Sequence, residues 1–416
     1  MLELADALEA LTGARGLQEH YVITGASVDS RQVVPGAIFI ARPGKKVDGH
    51  DYVGDAFNRG ARYALIERAV EGQFHELDLR KKLPVDLDVQ LPVCLRVDDS
   101  LAALQEIARF WRAKRDLRVI GITGSVGKST TKEVVAKMLS QRFQTLKNEG
   151  NLNNEIGLPL TLLSLTEKHQ YAVLEMGFYV PGEISFLSEI ARPQVGVITN
   201  VGTVHAERAG SQEAIAKGKA ELVQSLPPAP EGVAILNYDD PWVRDMAALT
   251  NARVMYYGLS PEADIWADQV TGLGLEGISF RLHYQKEVIH LKVPLIGRHS
   301  VHTVLRAAAV GLVENLTWQE IVDGFRSGPT QLRLVVVEGH NGCVLLDDTY
   351  NASPQSMMAA LNLLDELEGR KIAVLGDMLE LGSYEHAGHD RVGVRAAQVA
   401  HELVTVGERS KIIASA

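Results

Sequence analysis

The sequence predicts an α/β protein of three domains: a small α/β domain, a central parallel sheet carrying a phosphate loop, and a C-terminal Rossmann-like domain that is expected to be incomplete. Three observations predict it. A chain of 416 residues is too long for one hydrophobic core. Short apolar runs alternate with helical stretches, the pattern of parallel strands covered on both faces. That alternation starts afresh at the glycine-rich stretch 117–131 and again near Gly328-Pro-Thr-Gln-Leu-Arg333. The domain bounds are therefore expected at 1–114, 115–332 and 333–416.

In the first domain, Val33 to Ala41 reads as a turn and a strand, 56–60 as a helix, and Tyr63 to Ile66 as a strand. Asp99 and Ser100 are cap residues for a helix from Leu101 to about Lys114, with Leu101, Leu104, Ile107, Ala108 and Trp111 on one face. In the second domain, strand-like runs recur at Tyr171–Leu174, Val195–Thr199 and Val233–Leu236. Residues 277 to 295 alternate polar and apolar, which predicts antiparallel strands at one edge. Leu226 to Gly232 is a surface loop. In the third, Cys343–Leu346, Lys371–Leu375 and Glu402–Val406 read as strands, and Ser353-Pro354 opens a helix with serine as cap and proline at the first position. The pattern stops at Ala416, short of the strand count of a Rossmann-like domain.

Hydrophobic residues make up 46% of the chain and charged ones 23%, as in a globular protein. Lys and Arg number 42 against 52 Asp and Glu, a formal charge of −10 that disfavours non-specific binding of nucleic acid or anionic membranes. Anionic ligands then require local basic pockets. Cys94 and Cys343 lack metal-type spacing and are expected to be core thiols in a reducing compartment. The N-terminus carries acids where a signal peptide carries Lys or Arg. No apolar run reaches the ~18 residues of a membrane span. A cytoplasmic monomer is expected.

The chemistry starts at Leu117-Arg-Val-Ile-Gly-Ile-Thr-Gly-Ser-Val-Gly-Lys-Ser-Thr-Thr131. An apolar strand (Val119, Ile120, Ile122) runs into Thr123, then Gly124, Ser125, Val126 and Gly127, then Lys128, Ser129 and Thr130 at a helix start. Glycines let backbone N–H groups close around phosphate oxygens. Lys128 adds a point charge and Ser129 a hydroxyl for Mg²⁺. The strict pattern wants a glycine where Ile122 stands, so this loop is a shortened form. A nucleoside triphosphate is the expected ligand.

In open parallel sheets ligands sit beyond the carboxyl ends of strands. Two further strand ends carry reactive groups, Glu175 and His205. Each alone reads as readily as a structural residue; beside a phosphate loop, Glu175 can complete a Mg²⁺ site with Ser129. Asn154 sits in an asparagine-rich stretch, 148–157, that reads as an ordered capping turn or as a wall of the nucleotide site. Lys217 and Lys219 read as solvated helix lysines.

Taken together, these segments resemble the Mur ligases, ATP-dependent amide-forming enzymes of peptidoglycan precursor synthesis. The resemblance rests on Val28-Asp-Ser-Arg-Gln-Val-Val-Pro-Gly-Ala-Ile-Phe-Ile-Ala41, Asp48-Gly-His-Asp51, the phosphate loop, and Asn151-Leu-Asn-Asn-Glu-Ile-Gly-Leu-Pro-Leu160. It extends to Glu175-Met-Gly, Pro181-Gly-Glu-Ile184, Asn200-Val-Gly-Thr-Val-His205, Asp347-Asp-Thr-Tyr-Asn-Ala-Ser-Pro354 and Gly376-Asp-Met-Leu-Glu-Leu-Gly382. It implies the subgroup that adds D-alanyl-D-alanine to UDP-N-acetylmuramoyl-tripeptide through an acyl phosphate.

By this resemblance Lys128, Glu175, His205 and Lys219 are catalytic. Ser129 and Glu175 are expected to hold one Mg²⁺. His205 and a carbamylated Lys219, rather than Lys217, are expected to hold a second. Thr123 to Thr130, Asn154, Arg333, Asp348 and Asn351 are expected at the nucleotide. Asp29, Ser30, Arg31 and His50 are expected at the UDP-sugar. Asp377 and Glu380 are placed near the incoming dipeptide, with a helix-capping loop as the alternative. The chain departs from the family pattern at Val126, where a polar residue is usual, and at Ser300 and Thr303, which replace two asparagines expected near the adenine. Three other readings stand beside this one. A third-residue-adding ligase would carry an Asp-Asn-Pro-Arg motif, which is absent. A folylpolyglutamate synthase would lack the N-terminal UDP-type segment. A non-catalytic homologue would not need Lys128, Ser129, Glu175, His205 and Lys219 together.

Overall fold

Apolar runs of four or five residues become buried parallel strands at Tyr63–Ile66, Tyr171–Glu175, Val195–Ile198 and Val233–Asn237. The computed structural model describes residues 1–15, 20–44, 46–84, 87, 89–326 and 334–416. They fall into two compact units. One comprises Met1–Arg118, Asn148–Ala172 and Glu189–Ala191; the other comprises Val119–Lys147, Val173–Ser188 and Arg192–Ala416.

In the first unit, β1 (Ala26–Ser27), β2 (Ile38–Ile40), β3 (Tyr63–Ile66), β4 (His75–Asp78) and β5 (Val93–Arg96) form a parallel sheet in the order β1-β2-β3-β5-β4. The strand expected within 33–41 contracts to Ile38–Ile40 because Gly36, at φ +84°, turns the chain just before it. The helix expected at 56–60 runs Val53–Asn58 instead; Gly60, at φ +103°, lies past its end. Phe39, Ala41, Val53, Ala56, Ala64, Ile66 and Cys94 form the core beneath them. The long helix is Ser100–Ala113, and its cap is Asp99, which accepts from the Leu101 and Ala102 amides. Ser100 is not a cap: its hydroxyl donates to Glu67. Trp111 is fully buried and donates to the Leu165 carbonyl, and the buried Arg112 guanidinium donates to the carbonyls of Ala191, Arg115 and Leu117.

The second unit is built mainly on a sheet with, among the described residues, nine strands. These are β6 (Arg118–Thr123), β7 (Thr145–Lys147), β8 (Tyr171–Glu175), β9 (Val195–Ile198), β10 (Val233–Asn237), β11 (Arg253–Gly258), β12 (Ile265–Gly272), β13 (Ile278–Tyr284) and β14 (Glu287–Val293). Their order is β14-β13-β12-β11-β10-β9-β6-β8-β7. β8, β9 and β10 are buried along their whole length, whereas β12 and β13 alternate. That is why the alternating stretch supplies the antiparallel edge, and the continuous apolar runs supply the parallel centre.

Further along, β15 (Val335–Glu338) pairs antiparallel with β16 (Val344–Asp347), and β17 (Ile372–Gly376) pairs parallel with β18 (Glu402–Val406). The helix Glu385–Val399 links the parallel pair. The helix Pro354–Glu366 opens at Ser353 with a capping box, as the Ser-Pro pair predicts. Met357, Leu361, Ala373, Met378, Leu381, Val392, Ala396 and Ile413 pack into this region's core. Cys94 is buried, but Cys343, one residue before β16, is exposed and corrects the expectation of two core thiols. Among the described residues no helix is long and apolar enough to cross a membrane.

Candidate nucleotide and ligation site

β6 delivers the phosphate loop to the carboxyl edge of the sheet, and the helix Lys128–Leu139 starts at once. Two glycines make the turn possible. Gly124 has φ +146°, and a Cβ there would sit 1.8 Å from the Thr199 hydroxyl; Gly127 caps the helix at φ +86°. Asn200 splints the loop. Its carbonyl accepts from the Ser125 amide at 2.9 Å, its Oδ1 accepts from the Val126 amide at 3.0 Å, and its Nδ2 donates to the Val126 carbonyl at 3.0 Å. The loop therefore uses the backbone of Val126, which explains how an apolar side chain can stand there. The Lys128 ammonium donates to the carbonyls of Gly124 (2.9 Å) and Ser125 (3.3 Å), spanning the loop from within.

The loop opens on a cavity of about 350 Å³. Ser125 to Thr130 form one wall, and Asp348 and Asn351, as expected, form another. Ser300 and Thr303 line it too, where the two asparagines were expected. Thr123 does not: it is fully buried and its hydroxyl donates to the Met176 carbonyl at 2.9 Å, so it supports the loop from behind. Asn154 belongs to the first unit, where its Oδ1 accepts from the Gly157 amide at 2.9 Å and caps the helix Gly157–Leu162. Arg333 lies outside the described residues.

The lining residues that the sequence reading did not assign to the site include Asn237, His299, His302 and Arg306. His302 Nε2 lies 2.8 Å from Asp239, which also accepts from the Leu259 amide. Burial lowers the His299 imidazole from its ordinary range to about 4, and the charges of His302 and Arg306 push the same way. Arg306 is only 4% exposed, in the middle of a helix whose neighbours Val304, Leu305 and Ala307 are apolar. A lone arginine in such a run was the signal that marked it.

The other strand ends carry the reactive groups. Glu175 closes β8 at 3% exposure. His205 follows β9 with φ +69° and heads a short helix, Ala206–Ala209. Its Nδ1 lies 2.6 Å from Glu380, and Arg208 binds the same carboxylate at 3.0 Å. With Nδ1–H donating to Glu380, Nε2 keeps its lone pair. Burial lowers the affinity of His205 for a proton, Glu380 opposes that, and Lys128 and Lys219 reinforce it. Glu380, expected at the dipeptide, thus faces His205.

Lys219 overturns the solvated reading, which holds only for Lys217. Lys217 is exposed and pairs with Glu213 at 2.8 Å. Lys219 is 1% exposed, with its ammonium 4.9 Å from the centre of the Phe178 ring. Burial holds its basicity well below the ordinary lysine value, and the nearby Lys128 charge adds to that. Gly218 permits the arrangement, since a Cβ there would lie 2.0 Å from the same ring.

The remaining expected residues serve the local backbone. Asp29 accepts from the Arg31 amide at 3.0 Å and pairs with its guanidinium at 2.7 Å on an exposed turn. Ser30 is buried. Both ring nitrogens of the buried His50 are engaged: Nδ1 lies 2.6 Å from Asp48, and Nε2 accepts from the Glu67 amide at 2.8 Å. His50 therefore braces its loop rather than facing a ligand. Asp377 accepts from the Ser410 amide at 2.7 Å beside the helix Lys411–Ser415, which favours its capping alternative over dipeptide contact.

Family models match the chain in three blocks: the Mur ligase family catalytic domain over residues 22–112, the Mur ligase middle domain over 122–311, and the Mur ligase glutamate ligase domain over 332–416. The chain is 37% identical to the UDP-N-acetylmuramoyl-tripeptide–D-alanyl-D-alanine ligase of Synechocystis sp., over 92% of this chain and 79% of that one. A crystal structure of MurF from Acinetobacter baumannii superposes with TM-score 0.85 at 30% identity, covering 99% of this chain and 87% of that one. MurF from Thermotoga maritima in complex with ADP superposes with TM-score 0.79 at 26% identity, covering 97% and 87%.

Proposed function

This chain belongs to the Mur ligase family, and on that premise we propose that it joins D-alanyl-D-alanine to UDP-N-acetylmuramoyl-tripeptide, driven by ATP, in peptidoglycan precursor synthesis. The observation that carries the reading is the cavity itself, which the phosphate loop, Asp348 and Asn351 line together. We take the domain bounds as 1–114, 115–332 and 333–416. ATP and the UDP-linked precursor place the reaction in the cytoplasm, and we take the chain as a monomer.

The peptide carboxylate attacks the γ-phosphorus of ATP, ADP leaves, and an acyl phosphate forms. The amine of the dipeptide then attacks the acyl carbon, phosphate departs, and the amine releases a proton. The amides that open the helix at Lys128 receive the phosphate oxygens. Lys128 leaves the carbonyls of Gly124 and Ser125 for the γ-phosphate. Among the described residues no cluster of three or more His, Cys, Asp or Glu is arranged to hold a metal alone. That suits Mg²⁺, which takes one or two protein oxygens and completes its shell with phosphate and water. The Ser129 hydroxyl and the buried Glu175 carboxylate supply such donors; His205 and a carbamate on Lys219 would serve a second ion. When bound, these ions neutralise charge that builds on the phosphoryl oxygens. The lowered basicity of Lys219 favours its neutral amine, the form that attacks carbon dioxide, loses a proton and becomes an anionic ligand.

Phosphate release tests the reading. The protein, ATP and Mg²⁺ should release phosphate only when UDP-N-acetylmuramoyl-tripeptide and D-alanyl-D-alanine are both present. Release that ignores the dipeptide would overturn the assignment. Dependence on a different amino acid would move it to another adding enzyme, and nucleotide binding without turnover would leave a non-catalytic homologue.

A further inference from the structure

Among the described residues that line the nucleotide cavity, two are permanently cationic, Lys128 and Arg306. The ligation chemistry assigns a task to Lys128 and none to Arg306. The Arg306 guanidinium is buried, with Nε donating to the Thr131 hydroxyl and Nη2 donating to the Thr303 hydroxyl at 2.8 Å and to the Gly127 carbonyl at 3.4 Å. The Thr131 hydroxyl in turn donates to the Gly127 carbonyl at 2.6 Å. The guanidinium thus holds the hinge glycine of the phosphate loop both directly and through Thr131. A Cβ on Gly127 would lie 2.6 Å from Nη2, so arginine and glycine fit against each other.

The partners of this cation are neutral oxygens, the Tyr257 hydroxyl beside it included; among the described residues it forms no salt bridge. A buried charge without a counter-charge is unfavourable. A ligand that carries phosphate oxygens into the same cavity offsets that cost, and an uncharged nucleoside does not.

We infer that Arg306 is a positioning residue for the phosphate loop, and that its uncompensated charge makes the cavity select phosphorylated nucleotides over the bare nucleoside. The inference rests on the reading that this cavity takes ATP. Arg306 acts through the Gly127 carbonyl and the first turn of the helix at Lys128, and through its field, without being required to touch the phosphates.

The test is competition on the full chain with Mg²⁺, in which ATP and adenosine each displace a fluorescent ADP. Arg306→Met should weaken ATP by about 10- to 100-fold, the size of a lost hydrogen-bonded charge, with adenosine within about twofold. The KM for ATP should rise by the same factor as the ATP loss. Arg306→Lys keeps the charge and loses the fork, so it should recover part of the ATP-over-adenosine ratio. Equal weakening of both ligands would reduce Arg306 to packing and overturn the inference, as would an unmoved ratio. Should Arg306→Met fail to fold, the ratio in Arg306→Lys and in Thr303→Val decides: both must fall below wild type. Wild-type protein that binds ATP but shows no dipeptide-dependent turnover sinks the ligase reading and leaves the binding test intact. Normal turnover with an unmoved ratio in the variants sinks only the role of Arg306.

Discussion

Replacing His299 by glutamine should flatten the acid side of the stability profile. The imidazole lines the nucleotide cavity next to two other basic groups, His302 and Arg306, and desolvation there lowers its folded-state value from 6.5 to about 4, although the residue as a whole is exposed to solvent. The unfolded chain then binds the proton more readily than the folded one. Stability is complete above the unfolded value and declines as pH falls towards the folded one. The span would be about 2.5 pH units, but the residue is exposed and solvent screening reduces its contribution to about 1 kcal/mol. At about pH 5 the folded imidazole is still mostly neutral and the unfolded one mostly charged, so most of that contribution is already lost. Urea unfolding followed by tryptophan fluorescence, near pH 7.5 and near pH 5, should show wild type losing about 1 kcal/mol more than His299→Gln. Parallel losses in the two proteins would refute the argument, because they would mean that His299 takes up its proton equally well in both states.

Lys219→Ala should abolish phosphate release, with bicarbonate or a short carboxylic acid restoring part of it, whereas Lys217→Ala, at an exposed position, should keep wild-type turnover; unchanged activity in the first variant would exclude the carbamate. Gly124→Ala puts a methyl 1.8 Å from the Thr199 hydroxyl at φ +146°, and should cost at least about 2 kcal/mol of stability and lose ATP binding in titration calorimetry. Thr199→Ala should not rescue it, since the backbone strain remains. The exposed Cys343 should react at once with a disulfide reagent, while Cys94, buried and pushed up to about 12, should react only after unfolding; a count of two fast thiols would contradict the burial.

The fold was legible wherever an element is specified by a short local pattern. Tyr63–Ile66, Glu402–Val406 and the Ser353-Pro354 helix start stand where they were expected, because each depends on neighbours within a few residues. The antiparallel partner of β16 was not legible, because strand direction is set by pairing, which leaves no local mark. The site divides in the same way. The phosphate loop is a local pattern and emerged whole. The partners of His50 were not legible, because they are set by the fold, one of them an amide 17 residues away. Lys219 was misread against a signal that is present. Ile215, Lys219, Leu222 and Val223 follow the i, i+4, i+7, i+8 spacing of one helix face, so the lysine lies on the buried stripe, and Lys217 points nearly opposite.

The acidic balance of the chain, −10 overall, sets a problem that three basic side chains solve in different ways. A triphosphate and a precursor carrying a diphosphate and carboxylates must enter against that net charge. Lys128 is a cation that spans its own loop and can transfer its hydrogen bonds to a phosphate. Arg306 is a cation fixed behind the loop by three hydroxyl and carbonyl oxygens, so its field is present before any ligand arrives. Lys219 is driven towards the neutral form, chiefly by burial and then by the charge of Lys128. A third full cation beside the reacting phosphoryl group would compete with metal binding, and the low basicity of Lys219 removes it. Burial of Lys219 and the charge of Lys128 therefore act together: burial first, and then the cation that holds the phosphate, favour the uncharged form of the neighbouring amine, from which it can become an anion.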